Sequence, residues 1–283
     1  MKKLFNLISA ILLCSSCNDG DIVLTNFDFD DQNLEICGDV GDYVFFKVNT
    51  SIKESISLRL NTTVVLFTEP GIVAYILNES NFVNYRKFSE DVSSSYFCNN
   101  IPPTSPLADQ DYIATSGTAL LTTEISLDDN DSIEEEVDNT DTDEDGLLNY
   151  YDFDDDGDNI PTAAEIGPDP LNPRDSDSDG IPDYLDEDDD NDLILTRNED
   201  LNRNLNPLDD ISEAGPDYLN PNIAVETTTN EYILHTYQQN SAISLLLKDL
   251  VLRGSDEQLI VSLIDLGVLA NALQGTVAIT PAF

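Results

Sequence analysis

Ile56, Leu58 and Leu60 alternate with Ser57 and Arg59, the period of two that gives a β-strand one buried and one solvated face. Around this run lie YVFFKV (43–48), TVVLFT (63–68), IVAYIL (72–77) and GTALLTTEIS (117–126), all rich in β-branched and aromatic residues. Gly and Asp/Asn clusters and the segment IPPTSP (101–106) separate them. Residues 21–126 therefore read as a small antiparallel, β-sandwich-like domain of immunoglobulin size. A strand-like pattern returns in residues 223–283, a short C-terminal β unit. There YILHTY (232–237), AISLLL (242–247) and GTVAITP (275–281) echo YVFFKV, SISLRL and GTALLTT. Such echoes also arise by chance in β sequence, so duplication and coincidence stay equally open. A unit of this size is marginal alone and is expected to pack against the rest of the chain. Residues 256–273 fit strands or an amphipathic helix, and the pattern does not decide between them.

The first residues follow a different logic. Lys2 and Lys3 precede an apolar run over 4–13 that has secretory length and is too short to span a membrane. Ser15, Ser16 and Cys17 then have the form of a bacterial lipobox, although Leu13 and Cys14 match its upstream part imperfectly. Residues 1–17 thus read as a lipoprotein signal peptide, with acylated Cys17 as the anchor in outer-membrane lipid; plain secretion is the alternative. Asn18, Asp19, Gly20 and Asp21 resemble the acidic surface-export signals of Bacteroidetes-type lipoproteins. Export leaves Cys37 and Cys98 as an even pair in an oxidising compartment, which favours a disulfide over two buried thiols. Closing that loop of about 60 residues would contribute about 4 kcal/mol in the chain-entropy model.

Between the two β regions neither periodicity holds. The chain has 283 residues, 56 acidic and 12 basic, for a formal net charge of −44. Of those acids, 34 lie between residues 128 and 217, so the charge belongs to the middle of the chain. Such a field disfavours nucleic acid and anionic lipid headgroups as partners. Residues 127–140 (LDDNDSIEEEVDNT) read as an acidic linker. Asp129, Asp131, Ile133 and Asp138 would suit one more loop of the kind below, but its first position is Leu127.

The acids that follow are ordered. Asp141, Asp143, Asp145 and Gly146 precede Asp152; Asp154, Asp156 and Asp158 precede Glu165. Asp175, Asp177, Asp179 and Gly180 precede Asp186; Asp188, Asp190 and Asp192 precede Glu199. Carboxylates at positions 1, 3, 5 and 12 of a twelve-residue loop form an oxygen cage suited to Ca2+, which takes six to eight oxygen ligands in flexible geometry. The loops start at 141 and 154 and again at 175 and 188, a pair repeated after 34 residues. A third, worn half-copy follows, in which Ile211, Glu213 and Ala214 replace Asp177, Asp179 and Gly180; no metal is expected there. An EF-hand or dockerin would need helices after position 12, but Asp154 follows Asp152 almost at once and Pro168, Pro170 and Pro173 follow Glu165.

These residues resemble thrombospondin type 3 repeats, which in bacterial surface proteins alternate DxDxDGxxDxxD with DxDxDxxxTxxE. The resemblance covers residues 141–220. It implies that Asp141, Asp143, Asp145, Asn149 and Asp152 hold one ion and that Asp154, Asp156, Asp158 and Glu165 hold a second. Asp175, Asp177, Asp179, Asp183 and Asp186 would hold a third, and Asp188, Asp190, Asp192 and Glu199 a fourth. It also implies that position 7 (Leu147, Ile160, Ile181, Ile194) supplies a backbone carbonyl and buries its side chain. Asn159 and Leu193 replace glycine at position 6, and leucine is the poorer fit to a left-handed turn. The family's cysteines are absent from the array, so metal alone must order it.

No GxSxG, HExxH, phosphate loop or CxxC is present, and the single histidine, His235, reads as a packing or surface residue. The expectation is a non-enzymatic, mainly β protein of the cell envelope with an irregular calcium-organised array. Its role would be that of a spacer, or of a support for an adhesive or glycan-binding module with a protein or glycan ligand.

Overall fold

A computed structural model of the chain describes residues 22–23, 27–99, 103–133 and 139–283. The alternation at Ile56, Leu58 and Leu60 does become a strand, β4 (Glu54–Leu60), with all three side chains 0% exposed. It lies between β3 (Tyr43–Asn49) and β6 (Phe82–Phe88), and β6 pairs in turn with β7 (Ala108–Ala114). Phe45, Leu58, Val83 and Ala114 form one rung across these four antiparallel strands, and all four are fully buried. That row is the hydrophobic seam of the first β region.

The other strands are β1 (Ile22–Val23), β2 (Glu35–Cys37), β5 (Gly71–Ile76) and β8 (Thr118–Asp128). Two short ones, β9 (Ile211–Ser212) and β10 (Gly215–Pro216), form a separate hairpin. Two long ones close the chain, β11 (His235–Arg253) and β12 (Gln258–Ile279). The molecule is mainly β, as the sequence pattern predicts, and its largest sheet has ten strands in the order β1-β12-β11-β7-β6-β4-β3-β2, with β8 pairing both β11 and β5. Only the β1–β12 edge is parallel among the registered pairs. Strands foreseen for the N-terminal domain and for the C-terminal unit thus belong to one sheet.

Three local expectations change. The ambiguous segment 256–273 is strand, inside β12. YILHTY and AISLLL contribute to a single strand whose inward phase slips by one residue: Ile243, Leu245 and Leu247 are fully buried, then Leu250 and Leu252. Asp249, between the two sets, has φ 56°, the mark of a bulge that absorbs the extra residue. TVVLFT (63–68) forms no strand. Val64 and Val65 stay 57% and 53% exposed, and the Val64 N–H is taken by Thr62 Oγ1 at 3.2 Å, a local bond that competes with ladder formation.

Contacts divide the chain into two units. One takes the chain to Val65 with Ile72–Leu121 and Ser244–Val268; the other takes Leu66–Gly71, Thr122–Ile243 and Leu269–Phe283. Cys37 and Cys98 are disulfide-bonded within the first unit, 61 residues apart. No helix among the described residues is long and apolar enough to cross a membrane. Residues 1–17, where a signal peptide is expected, with Cys17, and residues 134–138 of the linker lie outside the described residues.

Candidate metal centre

The acidic loops share one backbone. Counting from the first Asp of each, positions 4 and 6 are left-handed in all four: Glu144 (62°) and Gly146 (98°), Gly157 (69°) and Asn159 (73°), Ser178 (65°) and Gly180 (100°), Asn191 (58°) and Leu193 (77°). Leu193 therefore accepts the conformation its side chain opposes, at a cost of about 1 kcal/mol, with that side chain 87% exposed. The linker's described part has the same turn, with Asn130 at 66° and Ser132 at 86°, so residues 127–133 repeat the first seven positions of a loop with Leu127 in place of the first carboxylate.

Side chains hold this backbone in a fixed way. Position 3 accepts the N–H of position 5 and position 5 that of position 7, for example Asp156 Oδ1 from Asp158 (3.2 Å) and Asp158 Oδ1 from Ile160 (2.7 Å). Position 1 accepts the N–H of position 6, as Asp154 Oδ2 does from Asn159 (2.9 Å) and Asp188 Oδ2 from Leu193 (3.1 Å). In the first, second and fourth loops each of these carboxylates thus spends one oxygen on the turn and points the other inward. Those second oxygens, on Asp141, Asp143, Asp145, Asp154, Asp156, Asp158, Asp188, Asp190 and Asp192, are buried with no hydrogen-bond donor among the described residues. Both oxygens of Glu165 and of Glu199 share that condition.

Bare carboxylate oxygens converge. Asp141, Asp143 and Asp145 form one group whose oxygens lie within 4.8 Å of one another, and Asp154, Asp156 and Asp158 form a second that is fully buried. Asp175, Asp177 and Asp179 form a third, more open to solvent. Unit charges about 4 Å apart repel by about 4 kcal/mol at an effective dielectric near 20, so such groups are unstable as free anions. Their proton affinities show it. Burial, with Asp145, Asp152 and Asp141 adding repulsion, pushes Asp143 up to about 7. Burial and repulsion from Asp190, Asp192, Asp188 and Asp217 push Glu199 up to about 9. Burial and neighbouring carboxylates hold Asp156, Asp158 and Glu165 well above the usual carboxylate range. Asp177 goes the other way, lowered by the Asp179 N–H and the Asn191 amide. An all-oxygen donor set of converging, donor-free carboxylates fits a hard divalent cation.

Two positions differ from the ligand set that the resemblance implies. Asn149 Oδ1 accepts the Thr142 N–H at 3.1 Å, and Asp183 Oδ1 accepts the Ser176 N–H at 2.7 Å while its Oδ2 is engaged by Arg174 and the Ser176 hydroxyl. Thr162 and Thr196 do the same for Asp155 (3.1 Å) and Asp189 (3.2 Å). Position 9 is therefore a latch on the N–H of position 2 in every loop, and Asn149 and Asp183 are committed to it. At position 12, Asp152 and Asp186 each spend one oxygen on the N–H two residues on, at 3.2 and 3.0 Å, whereas the longer Glu165 and Glu199 do not. Position 7 is buried for Leu147 and Ile160, but Ile181 is 46% exposed.

Two features were not read from the pattern. Asp189, at position 2 of the fourth loop, joins Asp158 and Glu165 in a fully buried group, so the second site draws on a residue 31 places downstream of Asp158. Only tertiary folding brings them together. Asp200 also starts a loop: its Oδ2 accepts the Leu205 N–H at 2.7 Å, and Arg203 and Leu205 are left-handed at 61° and 64°. Here Asn202 and Asn204 stand at positions 3 and 5, where the other loops have acids, and Asn206 stands at the apolar position 7; their amides donate to Asp209 at 2.7, 2.8 and 3.3 Å. Amide donors there do what a cation would do in the other loops. Within the worn half-copy, Ile211–Ser212 and Gly215–Pro216 form a plain hairpin.

His235 opens β11 and is fully buried, packed near Phe153 and Tyr232. Its Nδ1 lies 2.7 Å from Asp152 Oδ1 and 3.8 Å from Asp145 Oδ2, and its Nε2 lies 3.9 Å from Asp154 Oδ2. No protein-family model, curated protein or solved structure matches the chain.

Proposed function

We propose that residues 141–199 form a calcium-ordered array of the thrombospondin type 3 repeat kind, serving as a structural spacer in a non-catalytic, envelope-displayed lipoprotein anchored through acylated Cys17. The observation that carries the reading is the inward row of buried carboxylate oxygens without donors, repeated in the first, second and fourth loops on a backbone that all four share. Such oxygens are costly unless neutralised, and the loop at Asp200, where amides complete the turn, supplies the contrast.

In this reading Asp141, Asp143 and Asp145, Asp154, Asp156, Asp158 and Glu165, Asp175, Asp177 and Asp179, and Asp188, Asp190, Asp192 and Glu199 hold the ions. Extracellular modules of this chemistry bind Ca2+ with dissociation constants of about 0.1 to 1 mM, so they fill outside the cell. Binding favours the ordered chain by mass action, and without calcium the mutual repulsion of the acids expands it. Circular dichroism and small-angle scattering of residues 18–283 in calcium and in EDTA test this. Compaction with calcium supports it, and identical curves overturn it. Anchoring is tested by Cys17→Ala, which should release the protein from the membrane fraction.

A second reading, display of a ligand-binding β module, has one specific observation behind it. In the first unit a cleft of about 240 Å3 is lined by Ser57, Arg59, Phe82, Asn84, Arg86 and Tyr96, a mix of aromatic and hydrogen-bonding groups. It is smaller than the roughly 300 Å3 of the smallest ordinary ligand pockets, which suits one sugar-sized group. Binding on a glycan array that is lost in Asn84→Ala supports this reading.

A further inference from the structure

The first loop differs chemically from the other three. Asp145, Asp152 and His235 place an oxygen, an oxygen and a ring nitrogen within 4.8 Å of one another. Their side chains are 0%, 2% and 0% exposed. Asp145 Oδ2 has no hydrogen-bond donor among the described residues, and His235 Nε2 is likewise buried without a partner there. A burial this complete, on a residue held at the start of a 19-residue strand, is a built feature and not a side chain resting on a surface.

Calcium is a hard ion that takes oxygen ligands, and an imidazole nitrogen adds little to its binding. Zinc and its neighbours in the first transition row take imidazole and carboxylate together, with bonds of about 2.0 to 2.2 Å. Without metal, His235 Nδ1 and Asp152 Oδ1 share a hydrogen bond of 2.7 Å, and Asp145 Oδ2 lies 3.8 Å from the same nitrogen; ligand atoms around such an ion stand about 3 Å apart, so the ion would take the place of the shared proton. With Nδ1 toward the ion, Nε2 carries the proton and faces Asp154 Oδ2 at 3.9 Å.

We propose that Asp145, Asp152 and His235 form a mixed nitrogen–oxygen site for a divalent transition-metal ion of the zinc class, distinct in preference from the all-oxygen calcium loops that follow it. The site rests on the premise, shared with the calcium reading, that the first loop holds a cation; because Asp145 belongs to both groups, the zinc-class ion takes the place of calcium in that loop. Its failure and that of the calcium reading are separable, because the two metals are read by different signals. The site would tie strand β11 to the first loop through a bond that chelators of different selectivity break separately.

The test uses tag-free residues 18–283 with saturating calcium, titrated with Co2+ and followed by visible absorption. The expected result is one equivalent of Co2+ with ligand-field bands that Zn2+ displaces. The bands should vanish in His235→Gln and persist in Asp177→Asn, whose loop is elsewhere. The chain contains one histidine, so 15N-imidazole spectra of the unsubstituted protein give a second readout that needs no variant: Zn2+ should shift the Nδ1 resonance stoichiometrically. Absence of cobalt bands in the unsubstituted protein, bands unchanged in His235→Gln, or an imidazole resonance indifferent to Zn2+ would each overturn the proposal. Calcium stoichiometry at the second to fourth loops reports on the other reading independently.

Discussion

At the scale of single residues, the array is governed by how each carboxylate divides its two oxygens. Asp158 gives Oδ1 to the Ile160 N–H at 2.7 Å and turns Oδ2, fully buried, toward Asp154 and Asp189. Asp158→Asn keeps the turn acceptor and removes the charge. The expected outcome has opposite signs in the two states: one fewer calcium bound, and a chelated form more stable by about 2 kcal/mol because a buried repulsion is gone. Calorimetric titration and chemical denaturation in EDTA check the two halves. Gly157 has a different constraint. At φ 69°, a Cβ there would stand 2.4 Å from Asp143 Oδ2 and 2.8 Å from a Tyr232 ring carbon. Gly157→Ala should therefore weaken binding at the first loop by displacing Asp143, while leaving the third and fourth loops intact; Asp143-side and Asp188-side stoichiometries, separated by titration, decide it.

At the scale of the element, each loop is a turn pre-formed by backbone hydrogen bonds and latched at position 9. Thr162→Val removes the acceptor of the Asp155 N–H while keeping shape. A cost of about 1 kcal/mol is expected, seen as roughly fivefold weaker calcium affinity with unchanged stoichiometry. Burial ranks the loops. Asp154, Asp156 and Asp158 are all 0% exposed, whereas the third loop's Asp177 has one oxygen on the Asp179 N–H and the other on the Asn191 amide. The second loop should therefore fill first and the third last, since a rigid, charge-dense site binds calcium more tightly. A titration monitored residue by residue by NMR gives the order directly.

At the scale of the whole molecule, the acids set how stability responds to pH. Asp143 rises from 3.8 to about 7 and Glu199 from 4.5 to about 9 on folding without metal. The folded chelated form therefore holds protons that the unfolded chain has already released. That contribution is fully present below about pH 4 and is lost as pH rises through 7 to 9. With calcium bound the same groups must be ionised, so acid competes with the ion and stability falls as pH drops. Melting temperatures across pH 4 to 9 should slope in opposite directions in EDTA and in calcium; parallel slopes would contradict the raised affinities or the calcium reading.

Local sequence was enough for what depends on neighbours along the chain. Period two at Ile56, Leu58 and Leu60 and the spacing of acids at positions 1, 3, 5 and 12 both follow from geometry within a dozen residues, which is why β4 and the loop positions could be read directly. TVVLFT misled because β propensity describes fit to a half-buried surface, and Val64 and Val65 stay more than half exposed. The roles of Asn149 and Asp183 at the latch, of Asp189 beside Glu165, and of His235 against Asp152 depend on where distant backbone lies. Spacing of acids along the chain marked which groups could hold a cation. Only the tertiary structure decided which oxygens and which nitrogen face one another, because convergence from separate elements is a property of packing and leaves no period in the sequence.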